Sequence, residues 1–137
     1  MLTRTHRSDE RGAVAVELII ILPILVVLLF AIIEFGIALS KYEVYLSAAR
    51  EGARYAAVRC QPGGPSGCTD ALIASKVSSA AVGYPIGPGS PRGSIVCSST
   101  TVGQNVQVSW EQDISISIPF FGDRTFTPTI QAVFRCE

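Results

Sequence analysis

Histidine and charge are what this sequence has least of. The 137 residues hold one histidine, His6, and 16% charged residues, where soluble domains carry about 25%. The deficit is local. Between Ala13 and Ile33 only Glu17 ionises, and from Leu18 to Ile33 nothing does. A plain cytosolic globule, a disordered tail and a multi-domain enzyme are excluded by that run. One membrane-grade segment and at most one small domain remain. The 11 basic and 11 acidic residues cancel, so bulk electrostatics give no reason to expect a nucleic-acid partner. With a single imidazole, a Ser/His or Cys/His catalytic pair has little to draw on.

What precedes the apolar run sets its orientation. Arg4, Arg7 and Arg11 stand against Asp9 and Glu10, and basic residues count for topology where acids hardly do. The N-terminus is therefore expected in the cytoplasm, with residues 1–12 as a short leader. Beyond the run the first basic residue is Lys41. One span then places the rest of the chain on the far side. There His6 is out of reach of the domain.

Cys60, Cys68, Cys97 and Cys136 fit that placement. Four cysteines in a small exported domain read as two disulfides, with three pairings to choose from. The preferred one is Cys60–Cys68, closing the Gly/Pro loop between them, and Cys97–Cys136, tying two strands. Zinc is the competing reading, but the Cys60/Cys68 spacing is not CxxC.

From Ala13 to about Val58 nothing interrupts a helix except Pro23, which gives about 46 residues or ~69 Å. Its first half is apolar all round, which suits lipid or a helical bundle. The second half changes character. Ala48, Gly52 and Ala56 form one ridge, and Ala49, Ala53 and Ala57 the next. Small residues at that spacing let another backbone come close. The ridges can seat the chain's own C-terminal sheet, pack on neighbouring subunits, or do both. Arg50 and Arg54 share another face, with Glu51 between them.

Beyond the loop, Thr69 is placed to cap a second helix of roughly Asp70 to Val82, with Leu72, Ile73 and Val77 inward. Gly83–Ser94, rich in glycine and proline, reads as a long surface loop. Val106, Val108, Trp110, Ile114, Ile116 and Ile118 share one parity, against Gln107, Ser109, Glu111, Asp113, Ser115 and Ser117 on the other. This is a half-buried sheet pattern with a break near Gln112. Pro119 to Asp123 turn the chain. Phe126, Ile130, Ala132, Phe134 and Cys136 alternate again, and Pro128 predicts an edge or a bulge. Ile95–Cys97 offers a further strand. The expected fold is α+β: a long N-terminal transmembrane helix over 13–59, and an exported, disulfide-stapled domain over 60–137. In it a small antiparallel sheet and a short second helix pack on the outer half of the long one.

Arg11-Gly12-Ala13-Val14-Ala15-Val16-Glu17-Leu18 carries the most functional information. A carboxylate inside an apolar run costs about 2.5–3.5 kcal/mol at mid-helix and less near the interface, so it is a functional candidate by default. A cut after Gly12 would give Ala13 a new ammonium group. In a bundle, the Glu17 carboxylate of one subunit could pair with the Ala13 ammonium of the next and set axial register. The plainer reading puts Glu17 at the cytoplasmic interface, reaching water or Arg11.

Gly, four residues and Glu ahead of a long apolar helix resembles the N-terminus of type IV pilins and pseudopilins. The fuller set is similar to the TadE-like family, minor pseudopilins of the tight-adherence pilus. It comprises Arg11–Leu18, Leu22-Pro-Ile-Leu25, Ile33-Glu-Phe-Gly36 and Ala48-Ala-Arg-Glu-Gly-Ala-Arg-Tyr-Ala-Ala57. Leu18 stands where that family often has Phe or Tyr. The resemblance implies processing by a prepilin peptidase between Gly12 and Ala13, other pilin-like subunits and pilus assembly machinery as partners, and the bacterial inner membrane as location. No cofactor, metal or small-molecule substrate is expected. Ser66 and Ser90 lack a nucleophile-elbow setting, and Glu111 and Asp113 read as a solvated edge. The alternative is a periplasmic binding domain unconnected with a filament, either secreted behind an ordinary signal peptide cut after Ala38 or held by an uncleaved single-pass anchor. Against it, the apolar run is long for a signal core and carries Glu17 and Glu34.

Overall fold

The computed structural model describes residues 8–60, 69–87, 91–93, 103–119 and 122–136. Its architecture is α+β. Helix α1 covers Ser8–Arg59, 52 residues or about 78 Å, and so begins inside the stretch read as a leader. Pro23 is accommodated within it.

Helix α2, Asp70–Ala80, starts where the sequence places it. The Thr69 backbone is extended, and its hydroxyl oxygen accepts from the Leu72 N–H at 3.4 Å. The helix ends two residues before Val82, and the Ala81 N–H closes the last turn on Val77 O at 2.9 Å. Ile73 and Val77, one helical turn apart, take the inner line. Leu72, expected beside them, is turned to the rim of that face and is 36% exposed. One position along an α-helix turns a side chain by about 100°, which takes Leu72 off the line through Ile73 and Val77.

Five strands follow: β1 (Arg92–Gly93), β2 (Asn105–Glu111), β3 (Ile114–Ile118), β4 (Gly122–Phe126) and β5 (Thr129–Arg135). They form two antiparallel sheets instead of the one expected, a three-stranded sheet in the order β1-β2-β5 and a β3-β4 hairpin. The register of the first sets Val106 opposite Phe134, Val108 opposite Ala132 and Trp110 opposite Ile130. The loop expected over Gly83–Ser94 is a surface loop only in part. Pro91 is buried, and Arg92–Gly93 pair with Ser109 and Val108 of β2. The strand expected at Ile95–Cys97 lies outside the described residues.

Gln112 explains the break between the sheets. Among the described residues it is the buried polar residue of the core, 3% exposed. Its Oε1 accepts from Gly87 N at 2.8 Å and from Trp110 Nε1 at 3.2 Å, and its Nε2 donates to Asp113 O at 3.3 Å. Its own backbone N–H donates to Pro128 O at 3.1 Å. A buried amide is tolerated when satisfied in this way. The bracket ties the 85–87 loop, the end of β2 and the start of β5 to one point.

The core sits between the upper part of α1, α2 and the three-stranded sheet. Ala48, Ala49, Ala53, Ala56 and Ala57 are at most 2% exposed, and Ile73, Val77, Val106, Val108, Ile114 and Ile130 complete the cluster. Gly52 belongs to the same face, and a Cβ there would overlap Val77 Cγ2. That close approach of α2 is what the small-residue ridge permits. Tyr45 closes the lower rim: its hydroxyl donates to Pro85 O at 3.1 Å, and its ring meets Tyr84 edge-on at 6.3 Å. Burial, and secondarily the neighbouring Tyr84, raises the Tyr45 pKa above its ordinary value. Ala132 and Cys136 keep the inward parity, but Phe126 and Phe134 are 42% and 39% exposed, because their strand ends overhang the core.

Candidate functional site

The candidate site is helix α1, whose two halves offer different surfaces. From Val14 to Leu39 nearly every large apolar side chain is exposed, including Ile20, Leu25, Leu29, Ile32 and Phe35. Among the described residues this is one helix long and apolar enough to cross a membrane. Hydrocarbon-facing side chains on all sides need lipid or other helices around them, so the lower half is read as a membrane anchor.

Gly12, Ala13 and Glu17 lie on this exposed half, all helical. Space around Gly12 is open: a Cβ there meets nothing within 4 Å. Glu17 stands 5 residues further on, about 7.5 Å along the axis, with its side chain outward.

The upper half carries the six ridge residues, and the chain's own α2 and sheet bury all of them. No area of the ridges is left on the surface for a neighbouring subunit. What the upper half exposes instead is polar apart from Val58. Arg54 forms a two-pronged ion pair with Glu51, Nε to Oε2 at 3.0 Å and Nη2 to Oε1 at 2.9 Å. Its guanidinium holds the Glu51 carboxyl below the usual carboxylate range. Lys76 of α2 lies over the Tyr55 ring at 5.3 Å, a cation–π contact between the two helices.

Cys60 and Cys136 are both buried and each takes part in a disulfide. Cys68 and Cys97, the other members of the expected pairs, lie outside the described residues. Among the described residues no three His, Cys, Asp or Glu side chains come together in a way that could hold a metal ion. Glu111 and Asp113 are exposed at the β2–β3 junction.

Sequence reasoning missed a groove where the two halves meet. Phe35, Ala38, Leu39 and Tyr42 of α1 form one wall, and Ile116, Phe126 and Pro128 the other. It encloses about 360 Å³ and is almost wholly apolar. The walls come from segments nearly eighty residues apart, so no local pattern announces it. Ile116 and Phe126 sit in the β3-β4 hairpin, whose register pairs Ile116 with Arg124 and Ile114 with Phe126.

Comparisons with curated proteins and with solved structures each found no match. Residues 12–54, which fall on α1 and end within the alanine ridges, fit the family model described as TadE-like protein.

Proposed function

We propose that the chain is a membrane-anchored minor pseudopilin acting in assembly of a tight-adherence, type IV-like pilus, with a structural and not a catalytic role. The observation that carries this is the continuous match over residues 12–54. It takes in Gly12, Glu17, the exposed apolar half of α1 and the ridge residues Ala48, Ala49, Gly52 and Ala53. Residues 1–12 act as a cytoplasmic leader removed by a prepilin peptidase between Gly12 and Ala13. The inner membrane holds the lower half of α1, and residues 60–137 lie on the periplasmic or extracellular side, stapled by Cys60–Cys68 and Cys97–Cys136. The helix then passes from lipid into a bundle of pilin-like helices, where Glu17 pairs with a neighbour's Ala13 ammonium. A charge pair formed in the bundle removes the cost of burying either group alone.

The mature N-terminal residue tests the proposal. Ala13 is expected, and Gly12→Trp should leave the chain starting at Met1, since an indole fills a site that glycine leaves open. A native chain beginning at Leu39 would mean an ordinary signal peptide and the binding-domain alternative. One beginning at Met1 would mean a permanent anchor.

A further inference from the structure

The groove between α1 and the β3-β4 hairpin has no part in the assembly mechanism above. We propose that it is a second membrane contact, occupied by phospholipid acyl chains of the leaflet on the domain's side, and that it sets the depth and rotation of α1. The proposal rests on the membrane-anchor reading of the lower half.

Length is the first argument. The hydrocarbon core of a bilayer is about 30 Å thick. From Leu18, just past Glu17, to Leu39 the helix rises about 32 Å at 1.5 Å per residue. With Glu17 held at one border, Phe35 and Leu39 arrive at the other, beside the hairpin.

Continuity is the second. Phe35 is 63% and Leu39 50% exposed, and both belong to the same apolar surface as Ile32 and Leu29 below. That surface runs into the groove without a charged lining residue. Phe126 extends it onto the hairpin. An apolar patch of this kind facing water would be a liability, whereas facing lipid it is satisfied.

The flanking chemistry agrees. Tyr42 lines the upper end of the groove, and Lys41 is its neighbour in the chain. An amphipathic ring and a long cationic chain are what a membrane–water border recruits. Glu34 precedes Ala38 by one helical turn and is half-buried. That spacing places it on the face Ala38 turns to the domain. The hairpin's opposite face carries Ser115, Ser117 and Thr125, all exposed. Arg124, paired with Ile116 and also exposed, is the cation on the groove side, where a long side chain carries its charge to the headgroups.

The test uses the full chain in vesicles of phosphatidylethanolamine and phosphatidylglycerol. p-Benzoylphenylalanine replaces Phe126, Leu28 or Phe134 in turn, followed by irradiation and intact-mass measurement. Phe126→p-benzoylphenylalanine should gain the mass of one phospholipid, as should the mid-span Leu28 substitution. The Phe134 substitution, on an exposed aromatic of the other sheet, should not. Lipid adducts at Leu28 with none at Phe126 would overturn the proposal and leave the anchor standing. A cross-link from Phe126 to a second copy would overturn it in favour of a helix partner. No lipid adduct at either position would remove the membrane reading itself, and this proposal with it.

Discussion

The two halves of α1 are built from the same backbone and meet different solvents. Below Ala38 the side chains are Leu, Ile, Val and Phe, and they stand out on every side. Above it, alanine and glycine line one face and the domain covers that face completely. Size decides the difference. A small domain has little core to spend on covering a long helix. It succeeds here because alanine ridges let α2 and the sheet approach the helix backbone, so Val77 and Val108 fill the space that larger helix side chains would have taken. The lower half offers no such approach, and its large apolar side chains are left for lipid or for other helices.

Separating the halves by mutation sharpens this contrast. The largest expected effect is in the lower half and in assembly alone. Glu17→Gln should leave insertion, cleavage and the thermal unfolding of the domain unchanged, yet the chain should no longer co-purify with pilin-like subunits. Removing one member of a buried pair costs about 3–5 kcal/mol. Normal piliation with this variant as the only copy would defeat the register role, and a parallel cleavage assay excludes a peptidase effect.

In the upper half, losing a staple comes next. Cys136→Ala should lower domain stability by about 2–5 kcal/mol, followed through Trp110, the chain's single and buried indole. Cys97→Ala should match it if the two are partners. Unequal losses, or a peptide map joining Cys136 to another cysteine, would break the proposed pairing.

Gly52→Ala is subtler. Alanine favours the helix by about 1 kcal/mol, but here its methyl meets Val77 in a filled core, and overpacking costs about 1–3 kcal/mol. A net loss is expected, relieved when Val77→Ala is added. A stabilised single variant would show that α2 can move away from α1 at little cost.

The smallest effect concerns pH. The folded-state pKa of Glu51 is lowered, first by its hydrogen bond to Arg54. Its contribution is therefore present above the ordinary carboxylate pKa and disappears as pH falls through the lowered value. Because the pair is exposed, salt screens it. The difference in melting temperature between the native chain and Glu51→Gln should be small at neutral pH and vanish in acid.

Much of this contrast is legible along the chain. The charge-free run from Leu18 to Ile33 announces the anchor, the alanine spacing announces a face of close packing, and alternation between Val106 and Trp110 announces a half-buried strand. Thr69 caps the helix that it was expected to cap. What escapes a one-dimensional reading is pairing at a distance. A glutamine in a break between strands looks like a turn residue until Gly87 and Trp110 are found donating to it. Phe126 fits an inward parity, yet its strand end overhangs the core and half of its ring is left at the groove. Leu72 differs from Ile73 by one position, a turn of about 100° around the helix axis, which is enough to move it to the rim.

The placement of β5 also dictates an order of events. This last strand supplies Ile130 and Ala132 to the core, pairs along the whole of β2, and lies against α1. The ridge it helps to cover is made some seventy residues earlier. Contacts so far apart in the chain form slowly, because a long loop must close before they contribute. During synthesis the anchor is complete, and able to enter the bilayer, while its alanine ridges still lack their cover. The domain is thus assembled on a helix already held in place, and an interrupted chain would leave a finished anchor carrying an open, aggregation-prone face.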